Sequence, residues 1–210
     1  MSAPPAQREG QTRRPSTFTM QITNAVGLKE WAIVIEALLQ GRQLLLLRKG
    51  GLQDQGGRFT PEHKEFFLFP TYTHQQGEGI KEAERQRFLK AVRPRVKDYV
   101  ELRAYATVVY GIQLKKWEEV AALEPFHIWS ADEIRERFDR REPDLTMLAL
   151  RVYRLPRVIP IAEEPWFEGC RSWVTLDTSI VTDNPVPVLS EKKFLEKLSM
   201  VKRVLAGQRE

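Results

Sequence analysis

Cysteine is almost missing from this chain: 210 residues contain one, Cys170, beside three histidines, His63, His74 and His127. A single thiol excludes an internal disulfide and any multi-cysteine zinc site. Long apolar runs are missing too. None approaches the roughly 20 residues that cross a bilayer as a helix, so no membrane span is expected. The first residues, MSAPPAQREGQTRRPSTFT, carry arginines but neither an apolar centre nor a cleavage motif, so they do not read as a signal peptide. The expected compartment is the cytoplasm, and no cofactor is expected.

What is present describes an ordinary soluble globular protein. Hydrophobic residues make up 42% and charged residues 29%, with ten Phe and five Trp, enough to bury a sizeable core. The formal charge is +5 and the pI about 9.4. That surplus admits a polyanionic partner without requiring one.

Residues 1–24 are rich in Pro, Ser, Gln and Arg with almost nothing to bury, which predicts a disordered tail. Residues 25–210 read as a single domain. Leu28–Leu39 and Gln43–Arg48 flank Gln40-Gly41-Arg42 and read as a hairpin of two buried strands, the Ile-Val-Ile centre favouring strand over helix. Gly50–Pro61 is a glycine-bearing loop. Phe66–Tyr72 predicts a third strand, and Ile80, Ala83, Arg87, Phe88, Ala91 and Val92 follow helical spacing up to Pro94. Tyr99–Leu114 reads as strand and Trp117–Leu123 as a short helix. Ser130 and Glu133 form a capping box ahead of a helix that puts Ile134 and Phe138 on one face. Leu145–Ile161 is a strand whose Pro156 and Pro160 push its later part to an edge or turn. Cys170–Leu176 reads as a buried strand, and Phe194, Leu198, Val201 and Leu205 stripe a closing helix from Ser190. Strands and helices alternate without a strict βαβ rhythm. The expected class is α+β, a mixed or antiparallel sheet with flanking helices.

Two apolar runs end in groups suited to binding an anion. LLLLRKGG closes on Arg48, Lys49 and two glycines, and FFLFPTYTHQ closes on Pro70, Thr71, Tyr72, His74 and Gln75. A buried strand needs the apolar run but not that ending, whereas a pocket at a sheet mouth needs both. Arg48 and Lys49 are expected to neutralise phosphate while the glycines let backbone approach it. Tyr72, His74 and Gln75 are expected to meet a base or sugar. On this reading Arg48 and Lys49 are dispensable for folding. Lys81–Arg103 adds eight Lys or Arg against four Asp or Glu, and Arg135, Arg137, Arg140 and Arg141 form a second group. Charge runs usually form a solvated face, and Pro94 argues against a single groove-reading helix.

Enzymatic readings are thinner. GEGIKEAERQRF resembles the layout of the Nudix pyrophosphohydrolases, a glycine-bearing turn entering a Glu-rich helix. With the motif's arginine set on Arg85, however, Gln86, Leu89, Lys90 and Gly77 stand where metal-binding carboxylates are needed. Glu62-His63-Lys64 with Asp54 upstream has the letters of a nuclease E-x-K site, but its apolar run follows the motif instead of leading into it. A metal-dependent phosphodiesterase or nuclease using Asp54, Glu62 and His74 is the alternative to binding. A protein-interaction subunit using exposed Trp and Phe is the third reading. His127 and Cys170 stay open between structural and functional roles.

The segments LKEWAIVIEALLQGRQLLLLRKGG, FLFPTYTHQ, EPFHIWSADEIRERF, LALRVYRL and GCRSWVTL together resemble one bacterial family classified as a domain of unknown function. The resemblance spans residues 27–177. Some members are joined to restriction-endonuclease-like domains, which implies a DNA-related role, and the family pattern assigns no catalytic residue. The matching positions with chemical potential include Arg48, Lys49, Tyr72, His74, His127, Trp129, Arg151, Cys170, Ser172 and Trp173. The combined reading is a module that binds a nucleic acid or nucleotide at strand ends.

Overall fold

The computed structural model describes residues 20–50, 61–72, 79–92, 94–167, 169 and 171–209. Its strands are β1 (Gln21–Trp31), β2 (Leu45–Arg48), β3 (Glu65–Thr71), β4 (Tyr99–Leu114), β5 (Leu145–Ala162), β6 (Trp173–Asp183) and β7 (Val186–Pro187). Its helices are α1 (Ala32–Leu39), α2 (Glu82–Ala91), α3 (Trp117–Ala121), α4 (Ala131–Asp139) and α5 (Glu191–Ala206). Six strands run in the order β2-β5-β4-β3-β1-β6 and β7 adds to β5, giving one mixed sheet with flanking helices. Among the described residues only β1 and β3 pair in parallel, from Gly27 against Phe67 to Trp31 against Thr71; the other pairings are antiparallel. β1 opens at Gln21, ahead of the Ala25 at which order is expected.

The run Leu28–Leu39 corrects the expected hairpin. Its first residues finish β1, and Ala32–Leu39 forms α1, buried on every side. Ala32, Glu36, Ala37, Leu38 and Leu39 are good helix formers and outweigh the Ile-Val-Ile centre. Gln40-Gly41-Arg42 is then a helix stop, not a hairpin turn. Gly41 sits at φ +66°, its N–H donates to Leu38 O (3.0 Å), and the Arg42 N–H donates to Ala37 O (3.1 Å). Those two bonds and a left-handed glycine make a Schellman cap. A side chain at Gly41 would also strike Leu189 Cδ2, 2.6 Å from where its Cβ would stand.

β4 and β5 are long, 16 and 18 residues, and serve two cores. Val100 and Leu102 face one core with Phe67, Phe69 and Leu155, whereas Ala104 and Ala106 face the other with Leu28, Phe66 and Leu68. The change of face falls where the β4–β5 register breaks between Leu102 and Ala104. A bulge shifts the alternation by one residue and so exchanges the buried face. Pro156 lies in that break, between Arg154 and Ile159, where its missing N–H costs no ladder bond. β5 continues past it as the expected edge: residues 159–162 pair with β4 on one side, with no partner strand on the other among the described residues, and Pro160 lies opposite Glu101.

The later elements follow the sequence more closely. β3, β4 and α3 lie where their patterns predict. The Ser130 Oγ accepts from the Glu133 N–H at 3.2 Å, and α4 buries Ile134 and Phe138. The reciprocal half of that box is absent, because Ser130 N donates to Gly79 O and Glu133 holds Arg137. α5 starts after Ser190 and buries Phe194, Leu198, Val201 and Leu205.

Candidate nucleic-acid interface

Arg48 stands at the end of β2, one edge of the strand order, yet its side chain reaches the other edge. Its Nη1 donates to Lys29 O (3.1 Å) and Glu30 Oε2 (3.0 Å), both on β1. Its Nη2 donates to the Ser172 Oγ at 3.0 Å, one residue before β6. The sheet therefore curls until its edges meet, and this guanidinium latches them. Glu30, 4% exposed, is fixed on its other oxygen by the Trp31 N–H at 2.8 Å. Lys29 Nζ donates to Gly169 O at 3.1 Å, and Lys29 N to Ser172 O at 2.9 Å, closing the same seam.

Lys49 is bound more fully still. Its ammonium donates to Phe138 O (3.3 Å), Asp144 O (2.9 Å), Asp144 Oδ1 (2.8 Å) and the carbonyl of Glu142. All four oxygens belong to the last turn of α4 and the segment that follows it, where a cation is favoured by the helix dipole. The other Asp144 oxygen accepts from Gln113 Nε2 at 2.8 Å. An ammonium has three protons, so this one is saturated by protein oxygens.

The end of β3 meets the same place. The Thr71 Oγ donates to Glu30 O at 3.2 Å, so the two apolar runs singled out in the sequence end around one glutamate. Tyr72 follows and lines a small cleft with Leu68, Pro70, Ile35, Glu36, Glu101 and Arg103. Burial, then the nearby Glu101 carboxylate, pushes the Tyr72 phenol above its ordinary pKa. Arg103 lies at the β4 break, and its Nη1 donates to the buried carboxylate of Glu36 on α1. His74 and Gln75 lie outside the described residues, as do Asp54 and Cys170.

Aromatic and cationic groups pack behind the latch. The Arg137 guanidinium, on α4, lies 3.8 Å from the Trp129 ring centre and 5.2 Å from that of Trp31, and its Nε donates to Glu133 Oε1 at 2.5 Å. His63 meets Trp173 edge-on at 5.0 Å. His127 is buried, and desolvation, aided by Lys81, pushes its imidazole pKa down to about 4. It is therefore neutral at physiological pH. Glu62 is exposed, and no group of three or more His, Cys, Asp or Glu able to hold a metal occurs among the described residues. Of the tryptophans only Trp166 is largely exposed. No helix among the described residues is long and apolar enough to cross a membrane.

Four participants were missed in the sequence: Glu30, Glu36, Glu101 and Arg103. The first two carried a signal. They are the charged residues that interrupt the apolar stretch WAIVIEALL and its approach, and a buried carboxylate demands a cationic partner. Arg103 was visible only as the end of the Lys81–Arg103 basic group, and its direction depends on a bulge.

Comparison with known proteins gives a family and a set of distant folds. The family described as Domain of unknown function (DUF1802) matches residues 27–200. Among solved structures, a serine-to-alanine mutant of ZmASCH from Zymomonas mobilis is similar with a TM-score of 0.43 and 10% identity, covering 85% of this chain and 99% of that one. The ASCH protein from the same organism gives 0.40 and 10%, covering 83% and 93%. No curated protein matches the chain.

Proposed function

The chain belongs to the DUF1802 family, and we propose that it is a nucleic-acid or nucleotide binding module whose contact surface is the rim shared by the ends of β2 and β3. The observation that carries this reading is the convergence of Arg48 and Thr71 on Glu30, which brings the cation-bearing end of β2 and the polar end of β3 to one mouth. Tyr72, the residue after Thr71, lines a small cleft with Arg103. A ring next to a guanidinium is the pairing that nucleobases and phosphates use. His74 and Gln75 follow Tyr72 in sequence and supply further donors and acceptors. Arg48 and Lys49, paired with Glu30 and Asp144, hold that mouth in shape through their hydrogen bonds.

The test is fluorescence anisotropy with labelled single- and double-stranded DNA and RNA, titrated across salt with and without magnesium or manganese. The probe is run on a gel afterwards. The expected result is salt-weakened binding with an intact probe, the slope reporting the phosphates neutralised. A probe shortened only when metal is present would replace binding with a nuclease. No binding at low salt would overturn the reading.

A further inference from the structure

We propose that Arg137 is a phosphate clamp at the rim, its two terminal nitrogens taking two oxygens of one phosphate group. The inference rests on the binding reading above and adds the residue that grips the anion.

The arginines around α4 divide into two kinds. Arg135 and Arg140 fit a solvated face: each is more than half exposed and each pairs with an acid of the same helix, Asp139 or Glu136. The Arg137 side chain is only 16% exposed. Its Cζ lies over the Trp129 ring, 3.8 Å from the centre, and Trp129 is itself fixed edge-on to Trp31 at 4.9 Å. Glu133, one turn back, takes the Nε–H at 2.5 Å. Stacking uses a face of the guanidinium and Glu133 uses one side of it, so its plane is set while the terminal nitrogens stay uncommitted. Among the described residues neither of them makes a hydrogen bond, and neither is sealed from solvent. A charged fork that the fold orients and leaves without acceptors matches an oxyanion.

Register ties this fork to the rim. Trp31 ends β1 opposite Thr71, the last residue of β3, and the Arg137 Cζ is 5.2 Å from the Trp31 ring centre. Glu30 and Arg48 of the latch are near enough to act on the Arg137 charge. Burial presses its pKa down, against the pull of Glu133 and Glu30, yet a guanidinium stays protonated at physiological pH. The cations conspicuous in the sequence cannot do this work: Lys49 is saturated, and Arg48 spends both terminal nitrogens on the seam. Two parallel N–H donors suit two oxygens of a tetrahedral phosphate, and the chain's charge of +5 favours a polyanion.

The experiment uses the full chain and labelled thymidine decamers with and without a 5′-phosphate, titrated by anisotropy across salt. Arg137→Gln is expected to weaken binding about tenfold at low salt. It should also make the slope of log K against log salt shallower by about 0.7, the share of one phosphate on a single strand. Arg137→Lys keeps the charge but not the fork, so the slope should hold while affinity falls. A loss shared by both decamers assigns the clamp to the strand backbone, and a loss confined to the 5′-phosphorylated decamer assigns it to a terminal phosphate. An unchanged slope and affinity in Arg137→Gln would overturn the clamp and leave the binding module standing. Where Arg137→Gln does not fold, Arg137→Lys decides, and wild-type affinity in that variant would overturn the clamp. No affinity of the unmutated chain for any decamer, RNA or duplex probe would overturn both.

Discussion

Arg48 and Arg103 look alike on the page: each is a strand arginine paired with a buried glutamate from the stretch Leu28–Leu39. Their surroundings separate them. Arg48 spends both terminal nitrogens on three protein acceptors across a sheet seam. Arg103 gives one nitrogen to Glu36 and presents the rest of its fork to a cleft. A charge conspicuous in sequence can thus be spent on closing the fold, while one lost inside a β-branched strand stays available. Cation count at a strand end is a weaker guide to a site than the acceptors already committed there.

The comparison breaks most visibly at the latch. Arg48→Ala is expected to cost about 3–5 kcal/mol, because it strands a buried carboxylate and unties β2 from β6. Lys49→Ala removes the partner of Asp144 and is expected to fall in the same range. Urea unfolding monitored by tryptophan fluorescence measures both; a loss under about 1 kcal/mol for either would show the latch to be decorative.

His127 supplies the next test. Its folded pKa of about 4 lies below the unfolded value of 6.5, so the unfolded chain binds the extra proton first as pH falls. Stability is full above pH 6.5 and is lost as pH drops toward 4. The total is about 3 kcal/mol. Replacing His127 with Gln should flatten that part of the pH–stability curve, and an unchanged slope would place the titration elsewhere.

On the cleft side, Tyr72→Ala is expected to weaken single-strand binding by about 1–3 kcal/mol for every base, with little change in urea midpoint. A large fall in stability with unchanged affinity would move Tyr72 to the latch side of the comparison. Ser130→Ala is the smallest effect, about 1 kcal/mol of stability from the lost cap of α4. Because α4 carries Arg137 onto Trp129 and ends at the Lys49 cage, that loss should be felt at the latch.

Much of the fold was legible because the local signals agreed. Tyr99–Leu114 is β4 as its Val, Tyr and Thr content predicts, and Ser130 and Ser190 open helices that bury the expected stripes. The reading failed at Leu28–Leu39, where the apolar run broken only at Lys29, Glu30 and Glu36 carries no clear period to tell strand from helix. The Gly41 stop was visible as a glycine but took its meaning from α1, which had not been recognised. The meeting of the two apolar runs at one mouth was legible in outline. The partners that occupy Arg48 and Lys49 were not, since Glu30, Ser172 and Asp144 come from segments distant in sequence. Arg103 was hidden by the register break, which no pairwise pattern announces.

The pairing of β1 with β6 has a consequence for how the protein is made. Gln21 and Asp183, 162 residues apart, face each other across that ladder and are joined at 2.9 Å. During synthesis the first described strand leaves the ribosome long before its outer neighbour exists. Until then it has an open edge, and even its parallel partner β3 must arrive first. Such non-local closure is slow, and an open strand edge is a template for wrong pairing. A chain stopped before residue 172 would keep that edge and lack Ser172, the acceptor that Arg48 needs to finish the seam. Emergence of the segment that carries Ser172 and β6 is therefore the event that lets the sheet lock.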